Sequence, residues 1–167
     1  METQSVATEQ QMFISTEAML EHWQGHRNLT RRIIEAFPED KLFTFSVGGM
    51  RPFAQLAMEM IDIAVPGVQG LANGNWEKVE KFDHSVDSTT TKQELLNLWD
   101  KTTEVINEYW PQISEERFQK VEVAFGQYEN HNYGTFMYFL DNEIHHRGQG
   151  YVYLRALGIE PPFFWER

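Results

Sequence analysis

The chain contains no cysteine among its 167 residues. That removes disulfides, zinc–thiolate sites and cysteine nucleophiles together, and leaves the redox compartment open. Its N-terminal stretch METQSVATEQQMFIST has neither a basic leader nor a long apolar run, so no signal peptide is visible. No run of 18 apolar residues exists that could span a bilayer. Basic charge is also scarce: 14 Lys and Arg stand against 25 Asp and Glu, a formal charge of −11. This balance disfavours nucleic-acid phosphate, whose binding depends on neutralisation by Lys and Arg. Arg27, Arg31 and Arg32 form the one local basic cluster, too small to reverse it. A cytoplasmic protein with no nucleic-acid or membrane partner is the expectation.

Aromatic residues make up 14% of the chain, which suffices for a core and argues against general disorder. At this length one domain is expected, burying about 70% of the unfolded chain's surface. Residues 1–15 read as an N-terminal arm, and 16–167 as a single domain. Thr16 can cap a first helix over 17–37, where Met19, Trp23, His26, Leu29, Ile33 and Phe37 recur at helical spacing until Pro38. Residues 38–51 read as an ordered crossover loop packed by Leu42, Phe43 and Phe45. Pro52 then opens a second, strongly apolar helix that Pro66-Gly67 should kink or interrupt and Asn73-Gly74 should end.

Residues 74–90 read as a surface loop. Thr91 and Glu94 fit a capping box for a third helix over 92–110, closed by Pro111. A short helical turn is expected near Ser114. The alternation in 120–133 amounts to one strand's worth, so an extended loop is expected rather than a sheet. The last helix should run from about Gly134 to Leu157, and the aromatic tail Phe163-Phe164-Trp165 should pack on the bundle or on a neighbouring subunit. Four amphipathic helices sharing a core predict an all-α four-helix bundle with long crossover loops.

Chemistry concentrates in the last helix. Asn142 and His146 are four residues apart, about 40° round the helix and one turn above each other. This is how a helix offers two side chains to one metal ion. Glu59, an acidic residue in the apolar stretch of the second helix, could supply a third ligand from across the bundle. The alternative is a hydrogen-bonded cluster in which Glu59 accepts from Asn142 and His146. His145 points about 100° away from His146 and reads as a surface or interface group. A Glu143–Arg147 pair would contribute only tenths of a kcal/mol. His22 and His26 form a rival i,i+4 pair on the first helix, whereas His84 and His131 sit in loops with no evident partner. Nucleophile elbows and phosphate-binding glycine motifs are missing.

The stretch HHRGQGYVYLRALGIEPP resembles the end of the last helix in the DinB-like (damage-inducible protein B) family, whose usual form is H-x-x-x-H-R-G-Q. MRPFAQLAMEMIDIAVPGVQG and EHWQGHRNLTRRIIEAFPED resemble that family's second and first helices. The resemblance implies a four-helix bundle, often a homodimer, with a divalent metal on three His. Position by position those ligands fall on Glu59, Asn142 and His146, so two of the three imidazoles are replaced. Zinc or nickel would be the first expectation and manganese or iron the second, although a carboxylate and an amide shift preference towards harder or more loosely held ions. The family's thiol transferases and thiol-dependent isomerase imply a metal-dependent hydrolase or thiol transferase on a small molecule. A non-catalytic, dimeric, stress-associated bundle with a degenerate metal site is the alternative.

Overall fold

The computed structural model describes residues 13–167, so most of the expected N-terminal arm lies outside the described residues. Helix α1 spans Thr16–Ala36, and its N-cap is Ser15 rather than Thr16: the Ser15 hydroxyl accepts from the Ala18 amide. The crossover that follows is not loop throughout. Pro38 ends α1 but serves as N-cap of a short helix α2, Glu39–Thr44, with Glu39 and Asp40 in its first turn, where acidic side chains favour the helix dipole. Leu42 is fully buried there.

Helix α3, Phe53–Asn73, runs uninterrupted through Pro66 and ends at Gly74 in the left-handed conformation. Packing explains the tolerance. The α3 residues on either side of the proline bury apolar side chains in the core, and Gly67 comes so close to the ring of Phe139 that a Cβ would lie 2.6 Å from its Cζ. Helix α4, Lys92–Tyr109, starts on the complete Thr91–Glu94 capping box. A single 3₁₀ turn follows α4, and Ser114 caps the short helix α5, Glu115–Gln119. Helix α6 is Asn132–Ala156.

The four long helices form a closed bundle: α6 packs between α1 and α3, and α4 packs against the same two helices on the other side. One half of the core gathers Phe37, Phe53, Leu56 and Tyr153, while the other stacks Trp23, Trp110, Phe136 and Phe139.

Residues 120–133 correct the sequence expectation. They contain a two-stranded antiparallel hairpin, β1 (Val121–Ala124) and β2 (Tyr128–His131), joined by Phe125-Gly126-Gln127. Phe125 and Gly126 at its centre have positive φ, 54° and 75°, as in a type I′ turn, and the Gln127 amide closes that turn on the Ala124 carbonyl. Such turns favour Asn-Gly, so Phe-Gly is a weak signal. Phe125 holds the conformation because its ring is buried against Trp76, Phe82 and Phe139.

The tail departs from expectation in a different way. Phe163, Phe164 and Trp165 are about half exposed or more, and polar groups make its contacts to α1: Arg32 to the Glu166 carbonyl and carboxylate, and Arg167 to His26.

Candidate functional site

Helix α3 carries Glu59 towards α6 because its apolar neighbours Met60 and Ile63 bury their own faces in the core, leaving Glu59 at the edge of the α3–α6 seam. Across that seam, Glu59 Oε1 accepts from Asn142 Nδ2 at 3.0 Å and faces His146 Nε2 at 2.9 Å. The other carboxylate oxygen accepts from Arg51, just before α3. The structure thus brings together Glu59, Asn142 and His146, and adds a guanidinium that the sequence reading missed. Arg51 lies eight residues from Glu59, beyond the first turn of α3, and no helical periodicity links the two. These donors, led by His146 and followed by Arg51 and Asn142, hold the Glu59 carboxyl far below the usual carboxylate range, against the effect of burial. The negative charge in turn raises the nearby Tyr138 phenol, an effect second to burial.

The proton on His146 can be placed. Its Nδ1 is buried and has no hydrogen-bond partner among the described residues. A proton there would strand a buried N–H and set the Nε2 lone pair against a carboxylate oxygen. The proton therefore sits on Nε2 and is donated to Glu59. To share a metal with Glu59 and Asn142 through Nε2, the imidazole would need the opposite arrangement, with Nε2 free and an Nδ1–H given to an acceptor. With one imidazole so committed, one amide, and a carboxylate already matched by Arg51, this donor set does not fit a three-imidazole metal centre. No group of three or more His, Asp or Glu able to hold a metal occurs among the described residues.

A second polar cluster lies inside the bundle. Glu143 accepts from Thr30 at 2.7 Å and from the Trp23 indole at 3.3 Å, and stands 3.8 Å from Arg27 and 4.0 Å from Arg147. Far from being a weak surface pair, Glu143 and Arg147 are buried. Burial pushes the Glu143 carboxyl up, opposed chiefly by Arg27. Trp23, Arg27, Thr30 and Ile34 fall at helical spacing on α1, and that stripe was the available signal for a buried arginine.

His22 and His26 do approach, Nε2 to Nε2 at 3.2 Å. Arg147 nevertheless donates towards His26 Nδ1 at 2.9 Å and Arg167 towards His26 Nε2 at 3.0 Å, so both ring nitrogens of His26 already face a guanidinium rather than an open ligand position. His145 is exposed and pairs with Gln149, whereas His84 binds Asp62 at 2.9 Å and His131 binds the Gln119 carbonyl at 2.9 Å. Under the hairpin, a cavity of about 480 Å³ is lined by Phe125, Tyr128, Asn130, Thr135 and Tyr138 among others. No helix among the described residues is long and apolar enough to cross a membrane.

Comparison with known proteins agrees with this architecture. The chain is similar to a DinB-like protein (YjoA) from Bacillus subtilis, with 21% identity, a TM-score of 0.70, and coverage of 89% of this chain and 99% of that one. It is also similar to a DinB-like protein from Bacillus cereus ATCC 10987, at 17% identity and a TM-score of 0.68, covering 91% and 99%. No curated protein matches significantly. The model of the DinB family matches residues 12–166, nearly the whole length. The chain therefore belongs to the DinB family.

Proposed function

We propose that this is a DinB-family bundle in which an internal ion-pair cluster of Arg51, Glu59, Asn142 and His146 stands at the metal position implied by the family resemblance. On this reading it is not a metal-dependent enzyme, and the cluster ties α3 to α6. The observation that carries it is the buried Nδ1 of His146, which has no hydrogen-bond partner among the described residues and so commits Nε2 as a donor to Glu59. A small-molecule ligand is accommodated by the cavity beneath the hairpin, where two phenols, two amides, a carboxylate and a threonine hydroxyl stand with the Phe125 ring.

One observation favours a second reading. The Arg51 side chain is 42% exposed, so it can swing away and free Glu59 for a cation. The protein would then be a metal-dependent hydrolase or thiol transferase, with Glu59 and His146 as principal ligands and Asn142 as a weak third.

Metal content decides between the two. Protein prepared without a histidine tag would be stripped, refilled separately with Zn, Ni, Mn or Fe, dialysed and measured, alongside Glu59→Ala, His146→Ala and the double variant Arg51→Ala/Asn142→His. The first reading expects no stoichiometric metal in the wild type, loss of stability but not of ligand binding in His146→Ala, and gain of metal in the double variant. Stoichiometric metal in the wild type that disappears in Glu59→Ala and His146→Ala would overturn it.

A further inference from the structure

Helix α6 is apolar on its outer face as well as its inner one. Met137, Ile144 and Val152 are 54%, 42% and 54% exposed, and with exposed Asp141, Gly148 and Arg155 they form one stripe. At 100° per residue, all six fall within about 40° of Gly148 round the helix. Neither Asp141 nor Arg155 makes an ion pair among the described residues. A Cβ built on Gly148 would meet nothing within 4 Å among the described residues.

The order of these residues reads the same way when reversed. Asp141 and Arg155 lie seven residues on either side of Gly148, and Ile144 and Val152 lie four on either side. In an antiparallel pair of α6 helices related by a two-fold axis at Gly148, residues equally far before and after the glycine meet. Asp141 of each copy then faces Arg155 of the other, and Ile144 faces Val152. Gly148 sits at the crossing, where the lack of a side chain lets the two backbones approach. The 4-3-4-4-3 spacing of the stripe suits the shallow crossing in which such a row stays engaged along its length. The Asp–Arg pairs would lie about 10 Å from the crossing point, within reach of an arginine side chain.

We infer that this face of α6 is the contact surface for a second copy of the chain, specified by two symmetric Asp141–Arg155 pairs around Gly148. Local complementarity matters here because two copies carrying −11 each repel one another overall. An unrelated partner would have no reason to make the stripe match its own reverse.

Sedimentation equilibrium of the wild type, of Asp141→Arg and Arg155→Asp, of the double variant, and of an equimolar mixture of the two single variants tests the pairing. The wild type should be dimeric. Each single variant turns two attractions into two repulsions and should weaken self-association by about tenfold or more. The double variant should recover the dimer, and the mixed single variants should form heterodimers, because each then supplies what the other lacks. Gly148→Arg, at a position with open space, should keep the helical circular-dichroism spectrum while abolishing the dimer. A monomeric wild type would overturn the inference and leave the stripe to a different partner. A dimer indifferent to all these substitutions would overturn it too, because a different face would then be in use.

Discussion

Arg27 and Glu143 face each other at 3.8 Å with side chains only 1% and 3% exposed. Arg27 also lies over the Trp99 ring at 3.9 Å and donates to Thr103 and to the Trp99 carbonyl. Removing one member of a buried pair strands the other. Glu143→Ala and Arg27→Ala should each cost about 3–5 kcal/mol in urea unfolding, and Glu143→Gln less, because an amide oxygen can still accept from Thr30 and Trp23. Joint replacement by Arg27→Met and Glu143→Leu should recover most of the loss. Equal losses in the double and single variants would mean that packing, not charge, dominates there.

Between α3 and α6 the contact is set by backbone proximity. A Cβ on residue 67 would lie 2.6 Å from Phe139 Cζ, so Gly67→Ala should destabilise by about 1–3 kcal/mol despite the better helix propensity of alanine. Phe139→Leu in the same chain should make the alanine cheaper. A double-mutant cycle in which the two effects simply add would contradict this contact.

His26 gives the bundle a pH dependence of defined sign. Burial first, then Arg147, His22 and Arg167, push its imidazole down from 6.5 to about 3. As pH falls through about 6.5 the unfolded chain takes up a proton there, while the folded chain does so only near 3. Stability is therefore complete above about 6.5 and declines through that window, by at most about 1.4 kcal/mol per pH unit from this group. His26→Gln should flatten the slope of urea midpoint against pH between 6 and 4; an unchanged slope would assign the dependence to other groups.

At the hairpin, Phe125→Ala should cost about 3–5 kcal/mol through lost contacts with Trp76, Phe82 and Phe139. Phe125→Gly should cost less than Phe125→Ala, reversing their usual order, because only glycine relieves the left-handed backbone, by about 1 kcal/mol. Thermal unfolding of the two variants would settle the ranking.

The long helices were legible because each carries an apolar stripe and most have a marked start or stop, as at Thr91 and Gly74. The hairpin was not, because its turn depends on the burial of Phe125, which is tertiary. Pro66 misled in the same way: local chemistry argues for a break, and the surrounding core overrides it. At the site, helical spacing put Asn142 beside His146 and pointed to Glu59. The interior pair of Arg27 and Glu143 was hidden, since charged residues on amphipathic helices ordinarily face water.

Arg51 has a consequence for how the protein would fare in the cell. The positive charge opposite Glu59 comes from the chain itself, through a side chain tethered eight residues away. On the first functional reading, the closure of this pole needs no supply from outside: it would persist through metal starvation and in the presence of a chelator. A relative that uses a bound ion there would instead loosen as its supply fell.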